Sequence, residues 1–257
     1  MKALSKALQI FEEFGRASEP LGVTDIAESL GFNPSMVSKT LSTFKKQGFL
    51  KQDKSTRKYS PDVKCFLIGS SYTNQSAMIQ QSALYLRKLA DQTGHISMLC
   101  RVYGSEVLEI AVTEGREFFD ARLKRGSLMP CHATATGQVI LTFLDPDSRK
   151  AILEGLTLQA FTDRTIVSRK RLLERLEQVR QKGYAVTRGE SFPGLAAIAA
   201  PVFSNDGTIY AICVAFPDLA VDEIEEARLA GVLHSYARSL SLAAGAAVYP
   251  FGNLQEA

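Results

Sequence analysis

No stretch of the 257-residue chain approaches the roughly 18 consecutive apolar residues of a membrane-spanning helix. Its first residues begin a charged, amphipathic pattern and not the basic-then-apolar order of a signal peptide. The expectation is a cytoplasmic protein with no membrane partner. Cysteine is sparse. Cys65, Cys100, Cys131 and Cys213 stand too far apart for a CxxC pair or a metal-ligand spacing, so buried, reduced thiols are expected, with no metal and no cofactor. Neither a G-x-x-x-x-G-K-[ST] nor a G-x-G-x-x-G phosphate loop occurs. Tryptophan is absent, and so is a strong net charge: 30 Lys and Arg face 27 Asp and Glu, a balance of +3 that argues at first against a nucleic-acid partner.

What is present reverses that argument. Residues 1–60 hold ten Lys and Arg against six Asp and Glu (+4), whereas residues 61–257 hold twenty against twenty-one (−1). Residues 35–58 carry seven bases and only Asp53 against them. A local basic segment of this kind can neutralise phosphates in a nearly neutral protein.

The patterning of that segment predicts three helices and a hairpin. Leu4, Leu8 and Phe11, broadened by Ala7, Ile10 and Phe14, predict an amphipathic helix over residues 3–14. After Glu19-Pro20-Leu21-Gly22, Thr24 is positioned to cap a short second helix ended by Gly31. Asn33 and Pro34 are N-cap and first residue of a third helix that Gly48 closes, with Val37, Leu41 and Phe44 facing inward. The spacing of Ala27, Gly31 and Val37 is that of a helix-turn-helix: a small residue at the crossing, a glycine at the turn, a branched residue on the next helix. Residues 49–52 and 57–60, around Asp53-Lys54-Ser55-Thr56, predict two short strands forming a basic wing.

Residues 61–76 are expected to be a linker helix, and the amphipathic stretch 62–81 is a candidate for part of a dimer contact. Residues 77–92 predict another helix. Beyond it, residues 95–103 and 106–113 are strand-like around Gly104-Ser105, and residues 118–124 are expected as a third strand. Helices are expected over 133–144 and 169–182, the latter capped by Ser168 and ended by Gly183. Strands are expected over 184–187, 197–203 and 209–215, the last two joined at Asn205-Asp206-Gly207. A long helix over 222–247 closes the chain on a stripe of Leu229, Leu233, Tyr236, Leu240 and Ala244. Hairpin-joined strands with interspersed helices predict an α/β (α+β) sensor-like domain over 77–257 and not a doubly wound nucleotide fold.

This order of parts resembles the IclR family of bacterial transcriptional regulators over almost the whole chain. Ala7-Leu8-Gln9-Ile10, Asp25-Ile26-Ala27, Val37-Ser38-Lys39-Thr40-Leu41 and Gly48-Phe49-Leu50 are similar to its winged helix-turn-helix. GSLMPCHATATG (126–137) resembles its HA-x-x-x-G segment. Lys182-Gly183-Tyr184-Ala185-Val186, followed by residues 194–202 (GLAAIAAPV), resembles its second signature. The resemblance implies a GAF-like effector-binding domain with an antiparallel sheet flanked by helices. It also implies a homodimer or dimer of dimers, a palindromic or near-palindromic double-stranded DNA operator, RNA polymerase at the promoter, and DNA binding or promoter output modulated by a small-molecule metabolite.

On the third helix the outward residues are Ser35, Ser38, Lys39, Ser42 and Lys46, with Met36 at the rim; these are the candidates for base-edge contact in the major groove. Lys54, Arg57 and Lys58 on the wing, with Thr24, are candidates for phosphate contact. For the effector, the small residues Thr134, Ala135, Thr136 and Gly137 at a helix start leave backbone N–H groups approachable by a carboxylate, although small residues also serve plain helix packing. The resemblance adds Thr187, Ala197, Val214, Phe216 and the apolar wall residue Met129. Where the family commonly has Asp, Cys, Ser and Ser, this chain has Thr187, Ala197, Val214 and Phe216. The expectation is therefore a pocket more apolar than one made for a tiny oxoacid, taking a larger apolar or aromatic ligand, including a carboxylate, unless Phe216 fills it.

Two other functional classes fit these residues less well. An enzyme acting on a small acid would need a base for Cys131, and the adjacent His132 points elsewhere in any regular backbone, with no orienting Asp at a motif spacing. A winged-helix protein-interaction module would not need a basic wing.

Overall fold

The computed structural model describes residues 2–116 and 123–251. The chain divides into two compact units, residues 1–76 and 77–257.

The first unit runs α1 (Lys2–Arg16), α2 (Val23–Leu30), α3 (Pro34–Lys46), β1 (Leu50–Gln52), β2 (Tyr59–Pro61) and α4 (Val63–Gln75). Ile10, Phe14, Ile26, Val37, Leu41, Leu50 and Tyr59 form its core. The buried face of α1 is thus centred on Ile10 and Phe14. Leu4 and Leu8, expected as the stripe, are 67% and 49% exposed, because Phe11 lies on the border of two overlapping apolar faces and only one meets α3. Phe11 makes that contact, stacked on Phe44 with ring centroids 4.7 Å apart. Gly31 ends α2 in the left-handed region at φ 63°, and the Asn33 side chain accepts the Ser35 N–H at 2.9 Å to open α3. The cap of α2 is Gly22, not Thr24: Asp25 folds back to accept the Gly22 N–H at 2.8 Å, leaving Thr24 exposed inside the first turn.

The second unit runs α5 (Ala77–Thr93), β3 (Ile96–Tyr103), β4 (Glu106–Thr113), β5 (Leu128–Pro130), a single 3-10 turn (Cys131–Ala133), α6 (Ala135–Phe143), α7 (Pro146–Gly155), α8 (Arg169–Lys182), β6 (Ala185–Arg188), β7 (Leu195–Phe203), β8 (Ile209–Pro217) and α9 (Glu223–Ala243). The strands form one antiparallel sheet, ordered β5-β4-β3-β8-β7-β6. Helices α5 and α9 cover one face; α6, backed by α8, covers the other. The helix expected over 133–144 starts two residues later, after the 3-10 turn, and Ser168 makes no side-chain cap on α8. Helix α7, capped by Asp145 with Pro146 at its first position, was not anticipated, nor was β5. The strand expected over 118–124 falls largely outside the described residues.

Helix α6 is held against the preceding turn by a close approach at Gly137, where an added Cβ would overlap the carbonyl oxygen and Cα of Cys131. Both obstacles are backbone, so no rotamer change relieves them. Gly137→Ala is expected to lower stability by on the order of 3 kcal/mol, read as a loss of urea midpoint. A variant as stable as the parent would mean that the turn moves freely against α6.

Candidate DNA interface and ligand cavity

In the first unit, capping and packing fix which face of α3 is free. With Val37 and Leu41 buried, Ser35, Ser38, Lys39, Ser42 and Lys46 are exposed along one side and Met36 is half-buried at its edge. The wing turn is built by Asp53. Its Oδ1 accepts the N–H and hydroxyl of Ser55 at 2.9 and 2.6 Å and those of Thr56 at 2.7 and 3.0 Å. These bonds, the Ser55 hydroxyl first, hold the Asp53 carboxyl down to about 2. Arg57 takes a left-handed conformation at φ 60°, and its carbonyl accepts from the Gln52 side chain at 2.9 Å while Gln52 accepts from Lys45 at 3.0 Å. The wing is thereby tied to the end of α3. Lys58 is not wholly free: its Nζ lies 3.4 Å from Asp25 Oδ2 on α2. The Gly22 N–H and then Lys58 hold the Asp25 carboxyl below its usual range. Lys39, Lys46 and Lys54 have no ion-pair partner among the described residues. All the expected DNA-facing side chains except Met36 are exposed, and α3 and the wing are presented by the same small unit.

In the second unit a cavity of about 30 Å³ lies between the sheet and the start of α6. Of the expected residues, Met129, Thr134, Ala135, Thr136, Thr187 and Ala197 line it. Val214 and Phe216 do not. Successive side chains of a strand point to opposite faces, and these two pack toward α5 and α9, so Phe216 does not fill the cavity. Their neighbours Cys213 and Ala215 line it. Gly137 serves the contact with Cys131, and its N–H is already taken by Thr134 Oγ1 at 3.2 Å. The Thr134 hydroxyl in turn donates to Pro130 O at 2.9 Å, so Thr134 caps α6. The N–H groups left at the helix start are those of Ala135 and Thr136.

Met129, expected as apolar wall, is joined there by Met98, Leu123 and Leu195, but the expectation of an apolar pocket fails at Glu109, and a cavity of about 30 Å³ is too small as it stands for the larger ligand expected. A β-bulge at Leu99/Cys100 sets Cys100 opposite Glu109 and Leu99 opposite Ala111, so that Ile110 and Ala111 both turn toward α5, while Glu109, two residues after Val107, faces the cavity on the α6 side. Glu109 is 3% exposed, and its Oε2 has no hydrogen-bond partner. Burial pushes the carboxyl up to about 7, opposed by the backbone N–H of Lys124. Strand alternation from Val107 is the signal that would have found Glu109.

Beside the cavity, Cys131 is fully buried, and burial pushes its thiol up to about 12. His132 is turned away to Gln159 O at 3.0 Å, which removes the base a nucleophilic cysteine would need. Glu190, raised by burial, is held by Arg175 at 3.3 Å and Gln138 at 3.1 Å. Among the described residues no group of three His, Cys, Asp or Glu could hold a metal ion, and no helix is long and apolar enough to cross a membrane.

A helix-turn-helix with a basic wing, joined in one chain to a sheet-and-helix unit with an internal cavity, is the build of a DNA-binding transcriptional regulator. The IclR helix-turn-helix domain model matches residues 3–54, and the bacterial transcriptional regulator IclR C-terminal model matches residues 70–242; the chain belongs to the IclR family. It is 30% identical over 252 residues to the HTH-type transcriptional regulator KdgR of Escherichia coli, covering 98% of this chain and 95% of that one. It is 31% identical over 242 residues to the HTH-type transcriptional regulator BhcR of Paracoccus denitrificans, covering 94% and 86%. The crystal structure of an IclR transcriptional regulator from Alicyclobacillus acidocaldarius has the same fold, with a TM-score of 0.83 at 23% identity, covering 95% and 99%. The family and these relatives are regulators of transcription, not enzymes.

In the unfolded chain Glu109 loses its proton near 4.5, in the folded chain near 7. Its raised value means that its contribution to stability is whole below about pH 4.5 and is lost as pH rises through about 7, a difference of about 3 kcal/mol. Glu109→Gln is therefore expected to melt above the parent at about pH 8, with the gap closing toward about pH 5. A gap that does not change with pH would show that the carboxyl is solvated.

Proposed function

We propose that the chain is a cytoplasmic homodimer, or dimer of dimers, that binds a palindromic or near-palindromic operator and whose DNA binding or promoter output changes when a small molecule enters the cavity of residues 77–257. The observation that carries the DNA half is the exposed serine and lysine side of α3 beside a basic wing pinned by Asp53. Ser35, Ser38, Lys39, Ser42 and Lys46, with Met36 at the edge, meet base edges; Thr24, Lys54, Arg57 and Lys58 meet phosphates. RNA polymerase is then the machinery whose access is changed. The ligand half is supported by the cavity at the start of α6, where the Ala135 and Thr136 N–H groups offer a place for a carboxylate. Met129, Thr187 and Ala197 complete that wall.

One helix-turn-helix unit makes too few contacts for specific binding, so two copies must be presented together. Helix α4 offers the means: it has no buried residue, and Val63, Phe66, Leu67, Ile68 and Tyr72 are exposed along it. We assign this surface to a second copy of the chain.

Two measurements test these assignments. Lys54→Ala is expected to weaken binding to all DNA sequences and to flatten the salt dependence of affinity by about one in log–log slope. Lys58→Ala should do the same while also freeing α2 from the wing, and an unchanged salt slope in either removes that lysine from the interface. Phe66→Glu is expected to shift the protein to monomers in sedimentation equilibrium and to abolish specific DNA retardation. Dimers of undiminished stability would place the contact elsewhere.

A further inference from the structure

The carboxyl of Glu109 is explained neither by the DNA-reading unit nor by the packing of the sheet. An acid side chain at 3% exposure is rare without a charged partner. Among the described residues one oxygen meets a backbone N–H, that of Lys124, and Oε2 has no hydrogen-bond partner. The neighbours that titrate do not supply a charge: burial raises the Cys100 and Cys213 thiols and keeps them neutral, with the Thr136 hydroxyl directed at Cys100. Glu109 follows Val107 by two residues on the α6 side of β4, and the bulge falls directly after it, so that Ile110 and Ala111 both leave that side. Bulge, burial and unpartnered oxygen converge on one wall of one cavity.

We propose that Glu109 is the specificity-determining residue of the ligand cavity, receiving a hydroxyl of a small hydroxy acid whose carboxylate lies at the N-terminus of α6. This rests on the reading of the cavity as the effector site. A ligand hydroxyl supplies the hydrogen bond that Oε2 lacks. A ligand that puts a methyl there leaves the oxygen buried and unpaired, and one that puts a second carboxylate there sets two acids together. Sites of this kind reject the analogue lacking the hydroxyl far more strongly than hydrophobic pockets discriminate by size. Size points the same way: the void of about 30 Å³ has room for about two water molecules. A compact ligand displaces those, and the flexible Met98 and Met129 side chains on the wall can give it room.

The test is calorimetric titration of the full chain with glycerate, lactate and propionate, three acids of equal charge and carbon number that differ in hydroxyl count. The parent should bind glycerate at least about tenfold more tightly than propionate. Glu109→Leu should bring the three acids level. Glu109→Gln, whose amide oxygen still accepts, should keep part of the preference, and it serves as the reference should the leucine variant fold poorly by circular dichroism. Equal affinities in the parent, a preference surviving in Glu109→Leu, or binding of none of the three acids overturns the assignment. Retardation of DNA from upstream of the protein's own coding sequence separates the two layers. Acids that bind in the expected order without changing retardation leave Glu109 assigned and remove the regulatory reading. Retardation that answers an acid identically in parent and Glu109→Leu does the reverse.

Discussion

The structure of residues 77–257 depends on one constraint: its sheet is covered on both faces, so each strand must divide its side chains between two different interiors. Strand β8 shows this most clearly. Ile212, Val214 and Phe216 go to the side of α5 and α9; Ala211, Cys213 and Ala215 go to the side of α6 and α8. The first interior is bulky and closed. The second receives small residues from β7 and β8, Ala197, Ala199, Ala211 and Ala215, which let α6 come close and leave a void at its first turn. Gly137 carries the same economy of space into the helix itself, where it meets the Cys131 backbone. The cavity follows from small side chains on one face of a doubly covered sheet.

That constraint also explains what could and could not be read from the residues. Turns were legible because they need particular backbone chemistry. Gly104, Gly183 and Gly207 all sit at positive φ where hairpins or a helix end were expected, and Gly31 and Asn33 mark the turn between α2 and α3. Facing was not legible in β8, because a strand buried on both sides has no polar alternation to mark its direction. The family resemblance pointed to Val214 and Phe216, one residue out of register from the Cys213 and Ala215 that line the cavity, and β8 carries no polar alternation to correct it. In α1 the opposite problem arose: two apolar faces overlap at Phe11, and only contact with α3 chooses between them. Helix α7 carries a written signal, Asp145-Pro146; β5 is three residues long and carries almost none.

In the first unit the electrostatic asymmetry of the sequence acquires a geometry. The cations are not a diffuse cloud: Lys39 and Lys46 lie on the exposed side of α3, and Lys54, Arg57 and Lys58 on a turn that a single carboxylate, Asp53, organises through four bonds. A lone acid among seven bases would be a loss if its role were electrostatic. Its role is conformational, and the low value to which Ser55 and Thr56 hold it shows that it stays ionised to do it. Asp25 has the same double use, closing the first turn of α2 and drawing Lys58 toward it. The near-neutral total charge therefore conceals a small basic surface made by acids that fold it.

Glu109 inverts that logic. Asp25 and Asp53 are satisfied and exposed; this acid is buried and half unsatisfied, and its burial lifts it to about 7. A fold that only needed stability would place an apolar residue there, as it does at Val107 and Ile110 on the same strand. The bulge directly after Glu109 is a second departure from the regular ladder, beside the same wall. Two local costs at one wall are coherent when something outside the chain relieves them. A donor brought to Oε2 recovers a hydrogen bond in a low-dielectric interior, where such a bond is worth more than at the surface. The relief is realised only in the occupied state, so it adds to affinity for that ligand and shifts the unit toward whatever conformation admits it. The same unpaired oxygen that weakens the empty domain is thus what makes the filled one different from it, and a difference between the two states is the minimum that a sensor must have.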